Sequence, residues 1–219
     1  MVRQERALRT REALIESAAT VFDRDGFSVA SLTAISSLAG VSNGALHFHF
    51  ASKAGVAEAV EEAASQRLDS IVAAHEDAVG NALQLLVNTS HDLARRLGED
   101  VVLRAGFDLS REQVHQGRDL YRQWHEWVEG ALKRADGEGV LNEVTPEQVT
   151  ASVVAATTGF EVLGARDPQW LSRRTVTRFW QLLLPRLATP AVLGDLVAAG
   201  GPPPATTAGG RRDTGTATT

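Results

Sequence analysis

Two serines eleven residues apart, Ser31 and Ser42, constrain this chain more than any other feature. Each stands directly before a short run with helical spacing. Leu32, Ile35, Leu38 and Ala39 follow the first; Leu46 and Phe50, one turn apart, follow the second. A serine in that place accepts a hydrogen bond from a free backbone N–H of the first turn and so starts a helix. Ala39-Gly40-Val41 leaves room between the two only for a tight turn. Helices of about two turns are marginal alone in water, so this pair has to pack against something longer. The preceding segment supplies it: Leu8, Ile15, Ala18, Ala19 and Phe22 form one apolar stripe, and Asp25-Gly26 stops that helix.

The rest of the chain keeps the helical period. Ser52 caps a fourth helix with Val60, Ala64, Leu68 and Ile71 on one face, and further helical patterns cover about 79–97, 101–114 and 119–135. Thr145-Pro146 is an N-cap followed by proline at the first helical position. The helix it opens, 145–163, is apolar nearly all round, and such a helix has to be covered on every face. A last long helix is predicted over 169–187, with Trp170, Val176, Phe179, Trp180, Leu183 and Leu184, before Pro185 ends it or bends its last turn. No strand alternation is present, so the fold class is all-α. The expected domains are a three-helix unit over 1–53 and a helical body over 54–200. Residues 201–219, GPPPATTAGGRRDTGTATT, are expected to be a disordered tail.

Composition excludes several classes. The chain has no Cys, which removes disulfides and cysteine zinc sites and points to a reducing cytoplasm. The charged N-terminus lacks the apolar core of a signal peptide, and no apolar run approaches the roughly 18 residues of a membrane span. The net charge of −5 argues against a nucleic-acid partner, but its distribution does not. Residues 1–53 carry six Lys/Arg against five Asp/Glu; the remaining 166 carry 16 against 22. Arg3, Arg6, Arg9 and Arg11 crowd the start of the chain. An acidic body with one locally basic end is compatible with a single nucleic-acid surface.

Two short helices after a longer one have the proportions of a helix-turn-helix unit, whose second short helix turns its first turn toward base edges in the major groove. Ser42, Asn43, Gly44 and Ala45 are small enough for close approach, and Ser and Asn bond bases or phosphates. His47 falls opposite the inward pair Leu46 and Phe50. Lys53 follows the Ser52 cap, where free N–H groups and a cation both suit a phosphate. Thr33 and His49 complete the expected DNA-facing set. His47 and His49 lie roughly 200° apart around a helix and cannot chelate one metal, and the other histidines lack ligand spacing. No nucleophile–base pair or cofactor loop suggests an enzyme, so neither turnover nor a cofactor is expected. Trp124 and Trp127, three residues apart, share a helix face that spacing alone assigns to the core.

Residues 9–53, from RTREALIESAATVFDRDGF through AGVSNGALHFHFASK, resemble the DNA-binding domain of TetR-family repressors. Phe22, Gly26, Ile35, Ala39-Gly40-Val41, Phe50 and Lys53 fall on the family pattern; the family usually has Tyr, a phosphate-touching residue, where this chain has His47. RQERALRTRE, FDRDGF and GALHFHF are similar more narrowly to the γ-butyrolactone autoregulator receptors of filamentous actinomycetes. Genuine receptors of that group tend to be acidic, as the sequence pI near 5.7 is here. The resemblance implies a ligand pocket lined by Trp127. Leu103, Phe107 and Phe160 are further candidates, with core packing as the competing reading; several receptors have a small polar residue where Phe160 stands.

The resemblance also implies a repressor of a double-stranded, pseudo-palindromic operator, released by a small γ-butyrolactone-like effector. The homodimer is expected to pair through the helices near 145–163 and 169–187, where Ala155, Ala156 and Gly159 permit close approach. The helix from 53 to about 75 is the expected coupling element. Three alternatives stay open: a repressor that senses an antibiotic or biosynthetic intermediate, a DNA-binding dimer without a ligand, and a helical enzyme or carrier.

Overall fold

The computed structural model describes residues 2–76, 80–112 and 117–201, with side chains described from Gln4 onward. The expected disordered tail therefore lies outside the described residues, apart from Gly201. Among the described residues ten α-helices follow one another: α1 (Val2–Val29), α2 (Leu32–Leu38), α3 (Asn43–His49), α4 (Lys53–Glu76), α5 (Ala82–Glu99), α6 (Val101–Glu112), α7 (Leu120–Gly137), α8 (Pro146–Gly164), α9 (Arg173–Leu187) and α10 (Pro190–Leu193). A 3-10 turn, Pro168–Leu171, precedes α9. No strand occurs among the described residues, only an isolated bridge between Leu141 and Ala188. The chain is all-α.

The capping residues act as their types require. Ser31 accepts from the Ala34 N–H, Ser42 from Ala45 and Ser52 from Gly55. Thr145 and Gln148 form a reciprocal capping box with Pro146 in the first turn. Gly26 adopts φ 76° and ψ 158°, a conformation nearly closed to other residues, and there breaks the long first helix before one more turn to Val29. Ile15, Ala18, Ala19 and Phe22 are buried as the stripe requires, but Leu8 is 57% exposed because α1 begins beyond the body that covers its later turns.

Two short helices and α1 enclose Leu14, Ile35, Leu46 and Phe50. Helix α4 leaves this unit and packs chiefly on α6, which also packs on α1. The α4–α6 crossing is close enough that a Cβ at Gly106 would overlap Ala64. Ion pairs reinforce the joint: Arg104 to Asp23 on α1 at 3.0 Å, and Arg67 to Asp100.

Helix α8 covers only one of its faces. Val149, Val153, Thr157 and Glu161 are buried against α5 and α7, whereas Ala151, Ala155, Val162 and Leu163 face outward. Leu182 on α9 is 80% exposed, and a Cβ at Gly159 would meet nothing within 4 Å. Trp170, expected on the last long helix, sits instead in the 3-10 turn, and Pro185 lies within α9.

Candidate nucleic-acid interface and effector site

Helix α3 stands on the three-helix unit with its outer side open. Leu46 is fully buried and fastens the helix, and Phe50 buries the residue after it. Ser42, Asn43, Gly44 and His47 are exposed, and Ala45 and His49 are half-buried. Thr33 is exposed on the first turn of α2. The structure thus brings seven of the eight expected DNA-facing residues onto surfaces of the helix pair.

Phe48 joins them although sequence reasoning passed over it. It is 82% exposed and meets the His49 ring edge-on, with centroids 5.2 Å apart. Its signal was present: a phenylalanine on the face opposite Leu46 has no core to enter. Such a ring offers apolar contact to a thymine methyl or a sugar.

Lys53, the eighth, is held by the backbone of the preceding helix. Its ammonium donates to the carbonyls of Phe27 at 2.7 Å, Ser28 at 3.1 Å and Ala30 at 2.9 Å. It also lies 4.6 Å from the Phe27 ring centroid. An ammonium has three N–H donors, and all three are committed. Lys53 therefore satisfies the orphan carbonyls where α1 ends. The N-terminal arginines belong to helix α1, not to a loose arm: Arg6, Arg9 and Arg11 are exposed, and Arg11 lies over the Phe50 ring at 5.2 Å.

The four expected effector residues are not gathered around one cavity. Leu103 and Phe107 are buried on α6, with Phe107 edge-on to Tyr121 at 5.2 Å. Phe160 is half-buried and meets Phe179 edge-on at 5.7 Å. Trp127 is half-buried and stacks on Trp124, ring centroids 5.0 Å apart at an interplanar angle of 21°. The two indoles differ in one respect. The Trp124 N–H donates to Thr157 Oγ1 at 2.8 Å, while the buried Trp127 N–H has no acceptor among the described residues. A buried donor without a partner costs about 1–3 kcal/mol, so an incoming oxygen at that point is favoured. The buried Trp180 N–H, which sequence reasoning did not single out, is also without an acceptor among the described residues.

Three crevices lie elsewhere among the helices of the body. One of about 10 Å³ lies between α5 and α8, with Ser90, Thr157, Phe160 and Leu171 in its wall. It has room for about one water and no effector. A second, of about 330 Å³, separates α1 from α6 and α8 near Asp23, Arg104, Asp108 and Glu161. A third, of about 200 Å³, lies between α5 and the start of α9. Phe160 lines the first; Trp127, Leu103 and Phe107 line none of the three. Beside the second, burial pushes the Glu161 carboxyl up although the Tyr121 hydroxyl donates to it at 2.7 Å and Arg111 lies at 3.2 Å. Among the described residues no group of three or more acidic or histidine side chains could hold a metal, and no helix is long and apolar enough to cross a membrane.

Residues 14–60 match the family described as bacterial regulatory proteins, tetR family. The A-factor receptor protein of Streptomyces griseus is 30% identical over 205 residues, which span 91% of this chain and 71% of the receptor. A crystal structure of a γ-butyrolactone receptor (ArpA-like protein) superposes with a TM-score of 0.76 at 28% identity, over 89% of this chain and 96% of that one. CprB of Streptomyces coelicolor, solved in complex with its biological operator sequence, gives a TM-score of 0.73 at 26% identity, over 87% and 94%.

Proposed function

Because the chain belongs to the TetR family, in the group of the γ-butyrolactone receptors, we propose that it is a homodimeric transcriptional repressor released from its operator by a γ-butyrolactone-type effector. The observation that carries the DNA half is α3 itself: a helix fastened by Leu46, with Asn43, Gly44, His47 and Phe48 left open to the solvent. Residues 1–53 form the DNA-binding unit and 54–200 the effector and pairing body. Ser42, Asn43, Gly44 and Ala45 approach the base edges, while Thr33, His47 and His49 hold phosphates or bases. Phe48 joins the same surface.

Two chains pair through the outward faces of α8 and α9, where Ala155, Gly159, Val162 and Leu182 have no partner of their own. The two α3 helices then meet successive half-sites of a pseudo-palindrome. Trp127 supports the effector half, since its unpaired buried N–H suits a lactone or ketone oxygen. An effector enters there only as the packing around Trp127 and Trp124 loosens, with Leu103, Phe107 and Phe160 as further lining. Shifting the chain from operator-bound to released takes about 5.5 kcal/mol of differential binding over the dimer, half of it per pocket. Helix α4 is the coupling element, joined to α1 at Lys53 and packed along α6.

The absence of Cys and of any spanning helix among the described residues supports a cytoplasmic location, and no catalytic turnover is part of this reading. Selection of binding sites from random duplexes, with sedimentation of the free protein, tests the DNA half. An inverted repeat bound by a dimer is the expected result. A monomer, or enrichment of no sequence, would remove the proposal.

A further inference from the structure

The outer side of α5 carries an arrangement that neither the DNA surface nor Trp127 uses. Gln84, Asn88 and His91, spaced to share one helix face, hold the backbone of residues 197–201. Gln84 exchanges two hydrogen bonds with Val197, at 2.7 and 3.2 Å. The Asn88 carbonyl accepts from the Gly201 N–H at 2.9 Å, and the His91 ring donates to the Ala198 carbonyl at 3.0 Å. The third crevice, about 200 Å³, opens directly beside this strap, with Leu171 and Ala199 as its apolar walls.

Its charges are not balanced alike. Asp92, which is buried, has Arg95 beside it, Arg96 at 3.7 Å and His75 Nε2 at 3.4 Å. Arg95 is shared with Glu99 at 2.6 Å. Arg173 is different. Its Nε and Nη2 donate to the carbonyls of Ala199 at 3.0 Å and Gly200 at 3.3 Å, and among the described residues its charge has no carboxylate partner. Burial holds the neighbouring His91 below the ordinary imidazole range, and the Arg173 charge acts in the same direction, so the ring adds no second cation near neutrality. With Asp92 and Glu99 offset by Arg95 and Arg96, one positive charge is left over at the crevice among the described residues.

We propose that this crevice is a second ligand site, specific for a small organic monocarboxylate that pairs with the Arg173 guanidinium and lays its apolar part on Leu171 and Ala199. A guanidinium accepts a carboxylate through two parallel charge-assisted bonds, so Arg173 selects the anion over a neutral isostere. The volume falls below the roughly 300 Å³ at which drug-sized pockets begin, which limits the ligand to a small acid. An uncharged lactone forms no ion pair with the guanidinium, which separates this site from the effector reading at Trp127.

The test is calorimetric titration of the full chain with sodium benzoate, against benzamide and against sodium chloride at equal ionic strength. Saturable binding of benzoate alone is expected, weakened about tenfold or more in Arg173→Gln. Ala199→Trp, which fills the crevice without touching the charge, should abolish it and serves where Arg173→Gln fails to fold. Trp127→Ala should bind benzoate like the wild type. The proposal is overturned by benzoate behaving as benzamide, by undiminished binding in Arg173→Gln or Ala199→Trp, or by loss of binding in Trp127→Ala.

Discussion

Replacing Lys53 by Met separates two roles that a lysine at this position could play. The methionine keeps an apolar stem of similar length but removes the ammonium that binds the carbonyls of Phe27, Ser28 and Ala30. Hydrogen bonds from a charged group are worth about 1.5–3 kcal/mol each when well enclosed. Two of these three are only partly buried and the Ser28 bond is exposed, so water recovers much of the loss. A net cost of about 3 kcal/mol follows, including the contact with the Phe27 face. For a chain of this size that lowers the melting temperature by about 6–12 °C at fixed protein concentration. The assay is thermal melting, followed by operator affinity at several salt concentrations below the melting range. Lys53→Met should melt early, yet its salt slope should match the wild type, because no phosphate contact has been removed. A variant that melts with the wild type while its slope falls by about 0.9 per site would refute the reasoning and return Lys53 to the DNA.

Three further substitutions probe the remaining surfaces. Gly159→Arg places a charge on the open face of α8, and sedimentation should show dissociation toward monomer; an intact dimer would move the interface elsewhere. Phe48→Ala removes an exposed ring, so stability should stay within about 0.5 kcal/mol while operator affinity falls, most at sites with thymine under the helix. Unchanged affinity in a gel shift would exclude the ring from the interface. Trp127→Ala should leave operator affinity nearly intact while release by a γ-butyrolactone is lost. A fall of about 3–5 kcal/mol in stability together with lost operator binding would instead make Trp127 a core residue.

Much of the architecture was legible because it depends on neighbours in sequence. Ser31, Ser42, Ser52 and Thr145 each cap the helix they precede, and the apolar spacing of Val60, Ala64, Leu68 and Ile71 matches the buried face of α4. What escaped depends on partners far along the chain. Lys53 reaches carbonyls 23 to 26 residues away, and no local pattern marks it as a cap. Trp124 and Trp127 share a face by spacing. Only Thr157, on another helix, decides which indole is satisfied and which is left with a free donor. The strap over α5 is held by side chains that read backbone, so residues 197–201 carry no periodicity to announce it. The outward face of α8 was expected to be covered, and within one chain it stays open, the face at which the proposed dimer pairs.

Fluorescence anisotropy of a labelled operator duplex, titrated first with the protein and then with a γ-butyrolactone of the A-factor class, tests the central claim most directly. The account predicts a salt-sensitive rise in anisotropy as the protein binds. It then predicts a saturable fall to the free-duplex value as the lactone is added, with no fall for the same molecule after hydrolysis of its ring. Operator binding that the lactone leaves unchanged at saturating concentration would contradict it.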